Sequence, residues 1–229
     1  MDSFLCIHHL SLLSMISNSQ IIKYLSEKNA HAGFIDTLKI KYRPIICPFD
    51  RLLKYAENAK SVYDIGCGSG QFLSLVAEFI PSVTQLEGIE IDERLVKNAQ
   101  AINETFKGKK SLVFKTFDGN SIPESIADYE IVYLIDVMHH VPKNKQEKFV
   151  HEIYQKMSKD SILVFKDINL AHPFVIFNKL HDLVFSGETG RELSFTRASE
   201  LLQQAGFQVI ESFKQTVYMY PHYFIICKK

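Results

Sequence analysis

The chain has 229 residues and carries 26 lysine and arginine residues against 26 aspartate and glutamate residues, so its formal net charge is zero with neutral histidines. A typical domain has about 150 residues, so this length favours one large domain or one domain with an appended piece. Zero net charge argues against a protein devoted to a nucleic-acid backbone. The 46% hydrophobic and 23% charged fractions exclude collagen-like, low-complexity and disordered classes.

The cysteines and the N-terminal segment indicate the compartment. The four cysteines show neither metal-site spacing nor a disulfide framework, so we expect no bound metal and a reducing compartment, the cytoplasm. Residues 4–16 are apolar, but Asp2 replaces the positive charge of a signal peptide, and the run is shorter than the ~18 residues of a membrane span. We expect an amphipathic helix packed on the domain, with contact to a membrane surface as the less favoured alternative. Met15 is an alternative natural start.

From Ser61 onward, short β-branched runs alternate with segments of helical periodicity, which predicts an α/β fold. The run 131–135 is apolar on both faces, as in central parallel strands covered by helices on each side. Two final runs, 207–213 and 222–227, have a short connection that suits an antiparallel pair. We expect a helical extension or cap over 1–50 and one domain over 51–229, with a helical insertion near 170–195. The expected strands before the final pair are 61–65, 84–91, 111–117, 129–135 and 161–168.

Three glycines at alternate positions, Gly66, Gly68 and Gly70, lie between the first strand and its helix. Glycine allows a positive φ and close approach of a ligand, and a helix start offers free N–H groups, although tight turns without ligands also use glycine. A dinucleotide fingerprint needs a glycine at position 71, where this chain has Gln71. Asp64 precedes the loop, and its carboxylate favours a ligand with a cation, such as an ammonium, over a pyrophosphate. The pattern therefore favours a methyl donor over a nicotinamide cofactor.

Glu90 is the expected acidic partner of this loop. It ends the second strand, 26 residues after Asp64, where the topology points it at the same crevice. Its carboxylate can accept hydrogen bonds from two ribose hydroxyls. Asp92 is the competing candidate, but it begins a helix and fits better as an N-cap.

Taken in order, these motifs resemble those of the class I S-adenosylmethionine-dependent methyltransferases. The resemblance is strong over about 62–167 and extends weakly to the C-terminus, whereas the first fifty residues match nothing in the family's shared core. Four segments carry it: Asp64-Ile-Gly-Cys-Gly-Ser-Gly70, Gly88-Ile-Glu-Ile-Asp92, Phe117-Asp-Gly119 and Leu134-Ile-Asp-Val-Met-His-His-Val141.

The resemblance implies a fold, a cofactor and a set of binding residues. The fold is a doubly wound, Rossmann-like methyltransferase sheet of the α/β class, mostly parallel with the last strand antiparallel and with an N-terminal helical extension. The cofactor is S-adenosylmethionine, and the product is S-adenosylhomocysteine. The implied binding residues are Asp64, Gly66, Cys67, Gly68 and Gly70 in the loop, Glu90 and Ile91 in the segment that resembles the ribose-binding strand end, Asp118 and Gly119 near the adenine, and Ile135 through its backbone.

Methyl transfer from a sulfonium is an in-line displacement, so such an enzyme mainly aligns acceptor, methyl group and sulfur. A nearby base helps if the acceptor is a hydroxyl or a protonated amine, and histidine suits neutral pH. His139 and His140 follow the fourth strand and Asp167 follows the fifth, at the edge where ligands bind in such sheets. These three are candidate catalytic residues, with capping of a helix or turn as the alternative role. No role is assigned to three further histidines, His172, His181 and His222.

The neutral charge favours a small-molecule methyl acceptor, with no nucleic acid expected. A loop over 186–192 with glycine hinges could close on the acceptor, and Arg191 could hold an anionic group there. An RNA or protein methyltransferase with a local basic or peptide-binding face is the first alternative. A regulatory module that binds the cofactor without turnover is the second, and Gln71 disfavours a nicotinamide-dependent oxidoreductase. The sequence predicts no oligomeric state.

Overall fold

The computed structural model describes residues 16–28, 43, 45–171 and 191–229. The strands are β1 (Ser61–Ile65), β2 (Gln85–Glu90), β3 (Ser111–Thr116), β4 (Ile131–Ile135), β5 (Ile162–Ile168), β6 (Gln208–Val217) and β7 (Tyr220–Lys228). The α-helices are α1 (Asn18–Lys28), α2 (Phe49–Lys54), α3 (Gln71–Phe79), α4 (Glu93–Asn103), α5 (Lys143–Lys156) and α6 (Phe195–Ala205). Short 3₁₀ helices lie at Glu104–Phe106, Glu124–Asp128 and Met138–His140.

The strands form one sheet in the order β3-β2-β1-β4-β5-β7-β6. The first five in this order run parallel to one another, and β7 is antiparallel to both β5 and β6. The predicted doubly wound sheet, mostly parallel with an antiparallel last strand, is therefore confirmed. The chain moves outward from β1 to β3 and then returns to place β4 beside β1, so the strand order reverses between these two strands. In such sheets ligands bind at this reversal, beyond the carboxyl ends of the strands.

Helices cover both faces of the sheet, which is why its central strands tolerate apolar residues on each side. All five residues of β1 and all five of β4 are buried. Helices α1 to α4 contribute to the core on one face, and α5 and α6 contribute to the core on the other. The edge of the sheet at the carboxyl ends of these strands, where ligands bind in such folds, is therefore supported by packed strands rather than by an isolated loop.

The described part of the predicted N-terminal extension packs on the domain. Ile21 and Leu25 of α1 are buried in the core of the first face, and the Tyr24 hydroxyl lies 3.1 Å from the Ser74 hydroxyl of α3. The apolar segment 4–15 and residues 172–190 of the helical insertion expected near 170–195 lie outside the described residues. Among the residues that the structure describes, no helix has the length and apolar character needed to cross a membrane.

Candidate active site

The glycine loop closes over the end of β2. The backbone amides of Gly66 and Cys67 both donate to the Ile89 carbonyl, at 2.8 and 3.0 Å. Gly66, Gly68 and Gly70 have φ values of 73°, 54° and 71°, a left-handed backbone that favours glycine at all three positions. The sequence pattern therefore predicted a true conformational requirement.

The three glycines differ in the space beside them. A Cβ on Gly66 would lie 2.4 Å from a methyl group of Val137, and one on Gly70 would lie 2.8 Å from the Phe114 ring. These two glycines are thus needed for packing as well as for φ. Among the residues that the structure describes, a Cβ on Gly68 would meet only the Arg43 guanidinium, at 3.5 Å. The space next to Gly68 is therefore open to a ligand, as a cofactor cradle requires.

Glu90 is joined directly to this loop. Its carboxylate accepts hydrogen bonds from the Gly68 amide at 2.9 Å, from the Ile91 amide at 2.8 Å and from the Asp92 amide at 3.2 Å. Asp92 caps α4 by accepting from the Arg94 amide at 2.8 Å, as the sequence predicted. The two carboxylate oxygens have four lone pairs and three of them accept from these amides, so Glu90 keeps the capacity to accept from a ligand hydroxyl as well.

Three further predicted residues lie beyond β2 and β3. Ile91 is 67% exposed although it is apolar, and a Cβ on Gly119 would lie 3.9 Å from the Ile91 side chain. An exposed aliphatic side chain beside an open glycine can contact the flat face of a base. Asp118 accepts from the Asn120 amide at 2.8 Å, and this bond, with a second from Ser121, lowers the pKa of its carboxyl. Asp118 is therefore an ionised hydrogen-bond acceptor near neutral pH.

Asp64 lies at the end of β1 and is only 3% exposed. Burial raises the pKa of its carboxyl to about 7, partly opposed by the Arg43 guanidinium and reinforced by Glu90. A buried carboxylate that is costly to ionise is well suited to a cationic partner, since a nearby ammonium restores its charged form. The ammonium-binding role of Asp64 stays a prediction.

Two other predicted cofactor residues act through packing and backbone. Burial raises the pKa of the Cys67 thiol, and a Cβ on Gly88 would lie 2.8 Å from the Cys67 sulfur, so this side chain fills a gap against β2. Ile135 is buried in the core, which leaves its backbone at the end of β4 as the part that can face a ligand.

The structure brings the three candidate catalytic residues together. The His139 Nδ1 atom lies 2.5 Å from an Asp167 carboxylate oxygen, and the His139 amide donates to the other oxygen at 3.2 Å. The Ile168 amide also donates to Asp167, at 2.7 Å. His140 is exposed and packs against His139, with ring centroids 4.1 Å apart. Asp167 thus orients the His139 ring between the ends of β4 and β5.

Three charged residues that the sequence analysis did not select also lie at this edge: Arg43, Asp136 and Lys166. The Lys166 ammonium contacts both Asp136 carboxylate oxygens, at 2.6 and 2.7 Å. Lys166 in the segment 162–168, which is otherwise apolar except for Asp167, was a usable signal, because lysine is almost never buried unless it is paired. Arg43 carries no comparable signal, since nothing local places it beside Gly68.

The predicted mobile loop is only partly observed. Residues 186–190, together with His172 and His181, lie outside the described residues. The Arg191 amide donates to the His139 carbonyl at 2.7 Å, so this end of the loop contacts the pair of His139 and Asp167, called the His139–Asp167 dyad below. His222, which was given no role, is buried close to the site edge.

Comparisons with solved structures show the fold. The chain aligns with magnesium protoporphyrin IX methyltransferase (ChlM) from Synechocystis PCC 6803 with bound SAH, at 16% identity and a TM-score of 0.66, over 93% of this chain and 95% of that one. A SAM dependent methyltransferase from Aquifex aeolicus aligns at 16% identity and a TM-score of 0.65, over 84% and 95%. The mitomycin 7-O-methyltransferase MmcR aligns at 16% identity and a TM-score of 0.65, over 91% of this chain. The chain spans only 60% of the length of MmcR.

Sequence comparison identifies the family. Among curated proteins, no sequence matches the chain at a significant level. A family model described as a methyltransferase domain matches residues 40–212, which is more than half of the chain. This match covers the glycine loop, Glu90 and the His139–Asp167 dyad. The chain therefore belongs to the class I S-adenosylmethionine-dependent methyltransferases and uses S-adenosylmethionine as its cofactor.

Proposed function

We propose that this enzyme transfers a methyl group from S-adenosylmethionine to a small-molecule acceptor. The observation that carries the proposal is the open space beside Gly68, next to the Gly68–Glu90 hydrogen bond, in a loop that follows the strand holding buried Asp64. When bound, S-adenosylmethionine supplies an electrophilic methyl group on a sulfonium. The chain itself has to hold the donor, align the acceptor and receive any proton that is released.

The proposed donor residues divide by chemistry. Asp64 accepts from the donor's ammonium, and Glu90 accepts from the ribose hydroxyls. Ile91 and Gly119 line the adenine, with Asp118 as the acceptor for its amino group. The loop residues Gly66, Cys67, Gly68 and Gly70 and the Ile135 backbone enclose the remaining portion.

We propose His139 as the base for a hydroxyl or protonated amine acceptor. The Asp167 carboxylate accepts hydrogen bonds and cannot donate them, so the His139 Nδ1 atom that contacts it carries a proton. The other ring nitrogen, Nε2, is then the atom that takes up a proton from the acceptor. Asp167 serves as a positioning residue, because three protein N–H groups already occupy its oxygens. His140, exposed and in tilted ring contact with His139, is the alternative base.

The proposal also includes the kind of acceptor, the compartment and the division of the chain. The zero net charge supports a small acceptor, and two structural neighbours are named for small-molecule methylation. Three described cysteines, Cys47, Cys67 and Cys227, are free and buried, which supports a reducing compartment such as the cytoplasm. We keep the proposed division into an extension over 1–50 and a domain over 51–229, with a helical insertion near 170–195.

Two measurements test this function. Calorimetry of the purified protein with S-adenosylhomocysteine and with NAD at matched concentrations should show binding of the first alone. Binding of NAD without S-adenosylhomocysteine would refute the proposed donor site. A screen of small molecules, RNA and peptides with methyl-labelled donor then identifies the acceptor. Transfer only to RNA or peptide would overturn the small-molecule assignment.

A further inference from the structure

A second group of polar residues lies at the same sheet edge, beyond those assigned to the donor. Asp136 directly follows β4, Lys166 lies on β5 and His222 lies on β7. In the antiparallel pair of β5 and β7, Lys166 is opposite Phe224 and Ile168 is opposite His222. Opposite residues and every second residue of a strand share a face, so the Lys166 and His222 side chains project from the same face of the sheet.

The ion pair between Lys166 and Asp136 carries a desolvation cost, because one of its two charges is buried. The Lys166 side chain is 0% exposed, whereas the Asp136 side chain is 22% exposed, so the carboxylate is the accessible end of the pair. Burial raises the pKa of the Asp136 carboxyl, but the nearby Lys166 ammonium outweighs it and keeps this pKa well below its usual range. Asp136 also has a φ of 56°, which is unfavourable for a residue that is not glycine. Strained residues of this kind cluster at ligand sites.

His222 adds an unsatisfied hydrogen-bond acceptor. Its Nε2 atom lies 2.7 Å from the Ile46 carbonyl oxygen, which can only accept, so Nε2 carries the proton. Burial and then the Lys166 charge lower the pKa of the ring to about 3, so His222 is neutral near pH 7 and Nδ1 carries a lone pair. Among the described residues, Nδ1 has no hydrogen-bond partner although it is buried. A buried acceptor without a donor destabilises the fold, so a ligand that supplies the donor would be favoured.

The group lies next to the proposed donor site. Asp136 follows Ile135, whose backbone is assigned to the donor, and Val137 packs directly on Gly66 of the loop. The His139–Asp167 dyad begins two residues after Val137. Asp136 therefore lies between the glycine loop, the dyad and β5, beside the residues proposed to hold the donor.

We propose that Asp136 and His222 form a methyl-acceptor subsite that binds a neutral, hydroxyl-bearing compound, with Lys166 as the residue that positions Asp136. The inference rests on the proposed methyl-transfer function and deepens it. A ligand at this subsite would meet the Asp136 carboxylate and the lone pair on the His222 imidazole, and both accept hydrogen bonds from a hydroxyl. A ligand with a carboxylate or phosphate would instead be repelled by the Asp136 carboxylate. It would gain no attraction from the Lys166 ammonium, because Asp136 already neutralises that charge. The subsite concerns binding, and alignment with the donor determines which atom is methylated.

Nitrogen NMR of the histidine rings tests this subsite with defined fragments. Phenol, anisole and benzoate are titrated into ¹⁵N-histidine-labelled protein, with and without S-adenosylhomocysteine, and the His222 signals are assigned with His222→Gln. Phenol should shift the His222 ring signals in a saturable way. Anisole has no hydroxyl and benzoate is anionic, so both should bind at least about tenfold more weakly. The exposed His151 ring on α5 serves as the internal control and should not shift.

The outcomes separate the two proposals. If no fragment shifts His222, or if anisole or benzoate shifts it as strongly as phenol, the subsite is refuted. If S-adenosylhomocysteine fails to bind in the same samples, the donor proposal is refuted and the fragment result still decides the subsite. Asp136→Asn should weaken phenol binding at least about tenfold. Because that variant removes a partner of buried Lys166, the comparison of phenol with anisole in the unaltered protein stands as the decisive measurement if the variant does not fold.

Discussion

The Gly68 amide donates a hydrogen bond to the Glu90 carboxylate at 2.9 Å, across 22 residues of sequence. This bond joins the glycine loop after β1 to the acidic end of β2. It means that Glu90 fixes the loop, in addition to the ribose-binding role proposed for it. A change at Glu90 should therefore affect the shape of the donor site as well as its hydrogen bonding.

Glu90→Ala should weaken S-adenosylhomocysteine binding by about tenfold or more, since the lost bonds to a charged group are each worth about 1.5–3 kcal/mol. Isothermal titration calorimetry gives the dissociation constants. Glu147→Ala removes an exposed carboxylate on α5 and is the matched control, with no change expected. An unaltered dissociation constant for Glu90→Ala would remove this residue from the donor site.

Gly70→Ala should destabilise the fold more than Gly108→Ala. Both glycines have a positive φ, 71° and 77°, so both substitutions carry a left-handed backbone cost of about 1–2 kcal/mol. Only Gly70 is crowded, since its Cβ would lie 2.8 Å from Phe114, whereas Gly108 has open space. Overpacking adds about 1–3 kcal/mol. Urea denaturation measures both, and equal losses would show that the loop yields without strain.

Asp64→Asn should stabilise the ligand-free protein at pH 8 and weaken donor binding there. The pKa of the Asp64 carboxyl rises from its usual 3.8 to about 7 on folding. Between these values the folded state holds a proton that the unfolded state has lost, so the free energy of unfolding decreases as the pH rises through this window. The gain in melting temperature from Asp64→Asn should therefore be larger at pH 8 than at pH 5.

In the unaltered protein, the affinity for S-adenosylhomocysteine should change with pH in the direction opposite to the free energy of unfolding. It should increase as the pH rises through about 7, because the ionised Asp64 carboxylate binds the ammonium. Asp64→Asn should bind more weakly and lose this dependence. Calorimetry at pH 6, 7 and 8 checks both statements. A pH-dependent affinity that persists in the variant would assign the titration to another group.

Lys166→Met should cost about 3–5 kcal/mol of stability, because it leaves the Asp136 carboxylate without its ammonium partner. The double variant Lys166→Met/Asp136→Asn should lose much less than the sum of the two single changes. Lys228→Met breaks an exposed pair with Asp160 and should cost only about 0–1 kcal/mol. Urea denaturation of the four variants gives the coupling, and additive losses would mean that the two groups do not interact.

His139→Gln should lower kcat by about 10²-fold or more with the acceptor that the screen identifies, if its ring takes the proton. Binding of S-adenosylhomocysteine should be unaffected, since no donor contact is assigned to this side chain. The exposed His151→Gln is the control. Full activity of His139→Gln would direct the same test to His140.

The sequence by itself determined the order of strands and helices, the glycine loop and its acidic partner. These features depend on local chemistry: the period of apolar residues, the positive φ that Gly66, Gly68 and Gly70 supply, and the N-cap at Asp92. They also carried the family resemblance. The donor roles of Glu90, Asp118 and Ile135 stay predictions, although the structure places these residues at one edge.

Only the tertiary structure decided which distant residues share that edge. His222 contacts the Ile46 carbonyl across 176 residues, and Lys166 reaches Asp136 across 30. Neither pairing has a local pattern: Lys166 meets Asp136 because β5 lies beside β4, and His222 shares their edge because β7 lies beside β5. A buried charge is paired by whatever the strand order places beside it. The proposed acceptor subsite, unlike the donor loop, could therefore be found only after the strands had been assembled.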